Sequence, residues 1–137
     1  MFDDYAKKLE ALGENVPQIF KGVAKKGAVH FRNEAVKGTD REELVDTGNY
    51  RRSWNGETVD LGNNEYGIAC SNNVEYASHL EYGHKLRNGG RWRGRFVGTQ
   101  AMQETEGFCL LELFREVEVA MTAKKLGISK GEVRKHI

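Results

Sequence analysis

Residues 16–35 read VPQIFKGVAKKGAVHFRNEA, and their apolar side chains fall at Val16, Ile19, Phe20, Val23, Ala24, Ala28, Phe31 and Ala35. Steps of three and four put these residues on one face of an α-helix, a period that a β-strand does not use. A helix of this length with one apolar face has to bring other elements against that face, so the stripe constrains the rest of the fold. Asn15 suits the N-cap, and Pro17 is tolerated in a first turn. Gly38, Thr39 and Asp40 are expected to end the helix. A shorter helical piece is expected before it, from Asp3 to Leu12.

A second long helix is expected from about Thr99 to Leu126. Its stripe is Met102, Leu110, Leu113, Phe114, Val117 and Met121, and its exterior is acidic through Glu104, Glu106, Glu112, Glu116 and Glu118. Lys124 and Lys125 suit its C-terminus, and Gly127 stops it. Between the two helices, DTGNYRRSW (46–54) opens with the turn residues Asp46, Thr47 and Gly48. Two alternating runs follow, with Val59 and Leu61 in one and Tyr66, Ile68 and Cys70 in the other. Gly62, Asn63 and Asn64 between them favour a hairpin loop. SNNVEYASHLEYG (71–83) reads as a turn into a short helix capped by Asn73. Ala77 and Leu80 would face the sheet, and Gly83 would stop the helix. Phe96 and Val97 are expected to form a brief edge strand, and Ser129 with Glu132 resembles a capping box that would add a helical turn. This order predicts an α+β fold: a long N-terminal helix, a small antiparallel β-sheet with a short helix, and a long C-terminal helix. One domain is expected over residues 1–127, with residues 128–137 as a C-terminal tail. Only 39% of the residues are hydrophobic, so the core is expected to be thin and to finish burying itself against another subunit.

Charge is nearly balanced, with 21 Lys and Arg against 20 Asp and Glu, which gives no global attraction to nucleic acid or an anionic membrane. One segment breaks the balance. EYGHKLRNGGRWRGRFVG (81–98) carries Lys85, Arg87, Arg91, Arg93 and Arg95, and no acid after Glu81. Its glycines and lack of apolar period predict a loop. Such a loop can be merely solvated. It can dock on a neighbour's acidic helix through bidentate Arg–carboxylate pairs, or grip a nucleic-acid strand by stacking and phosphate neutralisation. Local chemistry alone ranks these in that order.

Catalytic signals are weak. Glu75, His79, Glu81 and His84 lie close in sequence, but the two histidines are five apart with Gly83 between them, which is poor spacing for one metal ion. Cys70 and Cys109 have neither metal spacing nor an evident base, so they read as small buried hydrophobes in a reduced cytosolic setting. No paired carboxylates, phosphate loop or nucleophile elbow appears, and no cofactor is expected. No apolar run is long enough to cross a membrane. The acidic, amphipathic N-terminus argues against a secretory signal.

Three segments in order, DTGNYRRSW, VEYASHLEYGHK (74–85) and GRFVGTQAMQETE (94–106), resemble the small neck or tail-completion proteins of long-tailed bacteriophages and prophages. These are the head–tail joining proteins typified by gene product ten of a lambdoid phage. The matching positions are Thr47, Gly48, Tyr50, Arg51, Ser53 and Trp54, then Tyr76, Ala77, Glu81, Tyr82, Gly83 and His84, then Arg95, Phe96 and Val97. The chain departs from many relatives in lacking a proline before the final helix and in the basicity of RNGGRWRGR. The resemblance implies a structural, non-catalytic virion protein at the head–tail junction. It would assemble as a homo-oligomeric ring around the DNA channel, beside other neck and tail proteins, and pass through the host bacterial cytoplasm during assembly. Lys85, Arg87, Arg91, Arg93 and Arg95 would then touch a neighbouring subunit or, without reading sequence, the phage DNA. Tyr50 and Trp54 would anchor their segment on the sheet. Tyr76, Tyr82 and Phe96 would pack as core or interface aromatics. Glu81 would hold an arginine, with Arg51 the first choice. The rival reading is a nucleic-acid-binding module built on the basic loop, and a more distant one is an enzyme with a concealed Glu/His site.

Overall fold

The computed structural model describes residues 2–13, 16–44 and 48–135. Among these residues ten elements follow one another: α1 (Phe2–Leu12), α2 (Val16–Arg41), α3 (Asn49–Arg52), β1 (Trp54–Gly62), β2 (Glu65–Asn72), α4 (Ala77–Tyr82), β3 (Gly83–Lys85), β4 (Arg91–Arg93), α5 (Val97–Leu126) and α6 (Lys130–Arg134). The architecture is α+β, as the order of patterns predicts. The N-cap expected at Asn15 and the turn residues Asp46 and Thr47 lie outside the described residues.

The spine is the pair α2 and α5, which run antiparallel. Gly38 near the end of α2 lies against Val97 at the start of α5, while Gly27 lies against Thr105 and Cys109 further on. The α2 stripe is buried as its period requires: Ile19, Val23, Ala24, Ala28, Phe31 and Ala35 all fall below 8% exposure. Gly27 marks the point where three elements converge. A Cβ there would sit 2.5 Å from both Cys109 Sγ on α5 and Ile68 Cδ1 on β2.

Strands β1 and β2 pair antiparallel from Trp54↔Asn72 to Gly62↔Glu65, with a bulge between Asp60 and Gly62. Asn63 and Asn64 both adopt positive φ, the geometry of a two-residue hairpin turn whose twist matches the strands. The sheet lies directly on α2. A Cβ on Gly56 would meet the Ala28 carbonyl oxygen at 2.4 Å, so the strand backbone touches the helix backbone.

Among the described residues, three apolar clusters fill the interior, two of them along the spine. Phe31, Ala35, Tyr50, Trp54, Val97 and Ala101 form one, at the end of the spine near the sheet's entry. Leu12, Ile19, Val23, Val117 and Ala120 form the other, where α1 closes over the spine. Each large side chain buried there contributes about 1.5–3 kcal/mol. Trp54 also needs a polar partner, and its indole N–H donates to Thr39 Oγ1 at 2.8 Å. That hydroxyl donates in turn to the Ala35 carbonyl at 2.9 Å.

Several expectations are corrected. Gly38, Thr39 and Asp40 do not end α2, which runs to Arg41, with Gly38 and Thr39 buried inside it. Both are polar-neutral signals whose use depends on what packs against them: Val97 on Gly38, and the Trp54 indole on Thr39. Asn73 does not cap α4. Tyr76 occupies that position without a side-chain hydrogen bond. Phe96 and Val97 form no strand. Phe96 adopts φ 52° as the N-cap of α5, and Val97 is the first residue of that helix. On α5, Met102 and Leu110 are about half exposed, while Ala101, Thr105, Val119, Ala120 and Ala123 are buried. Small residues let α5 approach its neighbours closely, and its C-terminal half is covered on a second side by Val133 of α6. The expected cap of that last turn is present, with Ser129 Oγ accepting from the Glu132 amide at 3.2 Å.

Candidate functional site

The basic segment is a small hairpin and not an irregular loop. Strands β3 and β4 pair through Gly83↔Arg93, His84↔Trp92 and Lys85↔Arg91. The tip closes through Leu86 N–H to Gly90 O at 2.7 Å and Gly89 N–H to Leu86 O at 3.1 Å. Apolar periodicity could not reveal strands of three residues, because so short a ribbon has no core face.

Glycine makes the base of the hairpin possible. Gly83 sits at φ 81° and ψ 176°, a region essentially reserved to glycine. A Cβ there would lie 2.3 Å from the Trp92 carbonyl oxygen, and one on Gly94 would lie 2.4 Å from the Glu81 carbonyl oxygen. The two chain segments therefore cross in backbone contact. Beside this crossing lies Glu81, buried at 8% exposure. Its carboxylate accepts from Gly98 N–H at 2.8 Å, Thr99 N–H at 2.7 Å and Thr99 Oγ1 at 2.6 Å. Phe96 supplies no side-chain cap to α5, so Glu81 satisfies the orphan amides from another element and places its charge at the helix N-terminus. The expected Glu81–arginine pair is thus replaced by a helix cap. Arg51 instead pairs with Asp40 through Nε at 2.9 Å.

Strand geometry sorts the hairpin's side chains. His84 and Trp92 share one face. The His84 ring stacks on His79 at 4.7 Å, and Arg95 lies over Trp92 at 5.5 Å. His84 Nδ1 is buried there without a hydrogen-bond partner among the described residues. Lys85, Arg91 and Arg93 share the opposite face, all exposed, with Arg87 at the tip. Lys85 and Arg91 stand directly opposite each other, an arrangement of like charges that destabilises a ribbon on its own. Among the described residues, Lys85, Arg87, Arg91 and Arg93 make no ion pair. Arg91 donates to the Tyr82 carbonyl at 3.4 Å. Arg95 differs from the others, since it approaches Glu42 at 3.9 Å.

The acids of α5 divide likewise. Glu112 meets Lys26 at 3.2 Å and Arg115 at 3.8 Å. Glu116 meets Arg134 at 2.6 Å and Lys26 at 3.3 Å. Glu118 pairs with Lys8. Burial pushes the Glu116 carboxyl up, but the hydrogen bonds and charges of Arg134 and Lys26 outweigh it and hold the group below its ordinary range. Glu104 and Glu106, nearer the helix start, make no ion pair among the described residues.

The remaining motif residues serve packing. Gly48 holds φ 83° ahead of α3. Tyr50 is 2% exposed and meets Trp54 edge-on at 5.2 Å. Burial first, then Glu81 and Tyr76, push its phenol well above the ordinary range. Thr47 lies outside the described residues. Tyr76, Tyr82 and Phe96 are not core residues, being 42%, 61% and 42% exposed, and Tyr82 and Phe96 meet edge-on at 6.2 Å. Sequence reasoning placed Thr39 at the end of the helix and gave no role to Gly94 and Gly98. Gly98 lies under the Trp54 ring, where a Cβ would come within 3.1 Å. The spacing Gly94 to Gly98 around a helix start was the available signal. Among the described residues, no three His, Cys, Asp or Glu side chains converge as a metal site would require. Burial pushes both cysteine thiols up, opposite to what an activated nucleophile needs.

Comparison with known proteins gives one family. The model described as "Bacteriophage HK97-gp10, putative tail-component" matches residues 3–83, from α1 to the first residue of β3. No curated protein and no solved structure gives a significant match. The matched part holds α2, the β1–β2 sheet, the Tyr50–Trp54 anchor and the capping Glu81, which together fix the scaffold on which the hairpin stands. On that match the chain belongs to the HK97-gp10-like family, and it is a structural protein of the bacteriophage tail.

Proposed function

We propose that the protein is a neck or tail-completion subunit, assembling with copies of itself into a ring around the DNA channel at the head–tail junction. One observation carries this reading beyond the family: a glycine-based hairpin holds four exposed cations that no acid among the described residues pairs with. A like-charged cross-strand pair is tolerated when an anionic surface outside the chain completes it. That surface belongs to a sister subunit or to the passing DNA. Other tail and neck proteins lie above and below the ring, the role is assembly and not catalysis, and the chain passes through the host cytoplasm on its way to the virion. The five-residue set Lys85, Arg87, Arg91, Arg93 and Arg95 narrows to four contact residues, with Arg95 bracing Trp92 and Glu42.

The test is imaging of particles made without the gene product. Unjoined tails beside filled, tailless heads are expected; whole, infectious particles overturn the reading. The rival, a nucleic-acid-binding module, draws on the face formed by Lys85, Arg91 and Arg93. Against base stacking stands Trp92, which is half-buried between His84 and Arg95. Micromolar, salt-sensitive binding of single- or double-stranded DNA by the isolated chain, lost on neutralising Arg91 and Arg93, would favour that rival.

A further inference from the structure

An open apolar groove of about 660 Å³ runs between β2, α2 and α5. Ile68, Leu113, Leu61 and Leu110 line it, the last two 61% and 51% exposed. Among the described residues, Glu65 and Glu106 are the charged ones that line it. Neither makes an ion pair among the described residues. On the same chain, the tip of the β3–β4 hairpin presents the reverse pattern. Leu86 is 40% exposed and is flanked by Lys85 and Arg87, with Arg91 across the ribbon. No hairpin residue lines the groove, so the chain does not fill its own groove with this tip.

We infer that the hairpin tip of one copy docks in this groove on the next copy, with Leu86 entering between Leu61 and Leu110 while Lys85, Arg87 and Arg91 meet Glu65 and Glu106. The occupant is a second copy because both halves of the match, an apolar plug ringed by cations and an apolar slot edged by acids, are present on one polypeptide. The pairing of α5 supports this assignment. Glu112, Glu116 and Glu118 are already neutralised within the chain, and of the two unpaired acids of that helix, Glu104 and Glu106, it is Glu106 that lines the groove. The two patches are different surfaces, so the contact is head-to-tail, the kind that generates rings when its rotation closes. Glu65–Arg and Glu106–Arg pairs would set register, and the buried leucine would supply affinity.

This inference rests on the ring-forming reading above, and the two fail separately. A photoreactive benzophenone side chain, Leu86→p-benzoylphenylalanine, is placed in the full-length protein. It is mixed with isotope-labelled unmodified chains and irradiated, both as purified protein over a range of concentrations and in assembled particles. The expected adducts join position 86 to residues 61–68 or 106–113 of a differently labelled copy. Adducts confined to the same chain, to DNA, to another protein or to another region overturn the docking, as does the absence of adducts in both samples. Leu110→Glu is expected to raise the concentration for half-association about tenfold, the scale of withdrawing one leucine from an apolar site. Arg87→Glu and Glu106→Arg are each expected to weaken association, and the double variant to recover it. If particles lacking the gene product assemble normally, the junction role falls whatever the crosslinks show. If they fail to join while Leu86, Leu110 and charge-reversal variants complement fully, only the docking falls.

Discussion

Glu81 shows how one residue ties several parts of the molecule together. Its carboxylate caps α5 with three hydrogen bonds, and its backbone carbonyl accepts from Phe96 N–H at 3.1 Å. Glu81→Ala would leave two amides at the start of α5 without their acceptor. A loss of about 1–3 kcal/mol is expected in urea unfolding, with Glu81→Gln intermediate because its amide oxygen still accepts. Glu116 gives a prediction in pH. Its folded carboxyl titrates below the ordinary value, so between the two values the unfolded chain binds more protons and stability rises with pH. Its contribution is complete above the unfolded carboxylate value and is lost as pH falls through the lowered folded one. Arg134→Ala is expected to flatten that part of the stability–pH curve. An acid limb as steep as that of the parent would contradict the pairing.

At the scale of elements, the contact between β1 and α2 depends on a missing side chain. Gly56 brings strand backbone to helix backbone at Ala28, so Gly56→Ala must push the sheet away. Overpacking of this kind costs about 1–3 kcal/mol. Gly67→Ala is the control, since a Cβ there meets Leu61 Cδ1 only at 3.4 Å. The expected result is a clear fall in melting temperature for the first variant and little change for the second. The hairpin is held differently. It has no core of its own, and its base is fixed by the Gly83 and Gly94 crossing and by Arg95 N–H to Leu80 O at 2.8 Å. Its tip is therefore free to answer to a surface outside the chain.

For the molecule as a whole, folding and charge display are separable. Replacing Arg87, Arg91 and Arg93 together by Gln removes no ion pair within the described residues and relieves the like-charge pair at Lys85 and Arg91. Unfolding free energy is expected to stay within about 0.5 kcal/mol of the parent, or to rise. Complementation of particle assembly is expected to fail with the same variant. A large loss of stability would mean that the cations serve the fold.

What the sequence by itself determined follows from repeating patterns. The period of Val16 to Ala35 specified α2, alternation around Asn63 and Asn64 specified the β1–β2 hairpin, and Ser129 with Glu132 specified the last cap. Local steric and hydrogen-bonding rules are enough for such features. The family motifs were legible too, through the glycines and aromatics around Gly48, Tyr50 and Trp54. Only the tertiary structure decided what singular residues do. Thr39 became the acceptor for Trp54, Glu81 the cap of α5 and not the partner of Arg51, and the basic segment a ribbon with Lys85, Arg91 and Arg93 on one face. The first two roles depend on a group of another element, β1 laid against α2 for Thr39 and α4 set at the start of α5 for Glu81, and the third on the close backbone crossing at Gly83 and Gly94. A sequence carries the identity of a donor or an acid, but which partner it meets is set by which backbones come into contact.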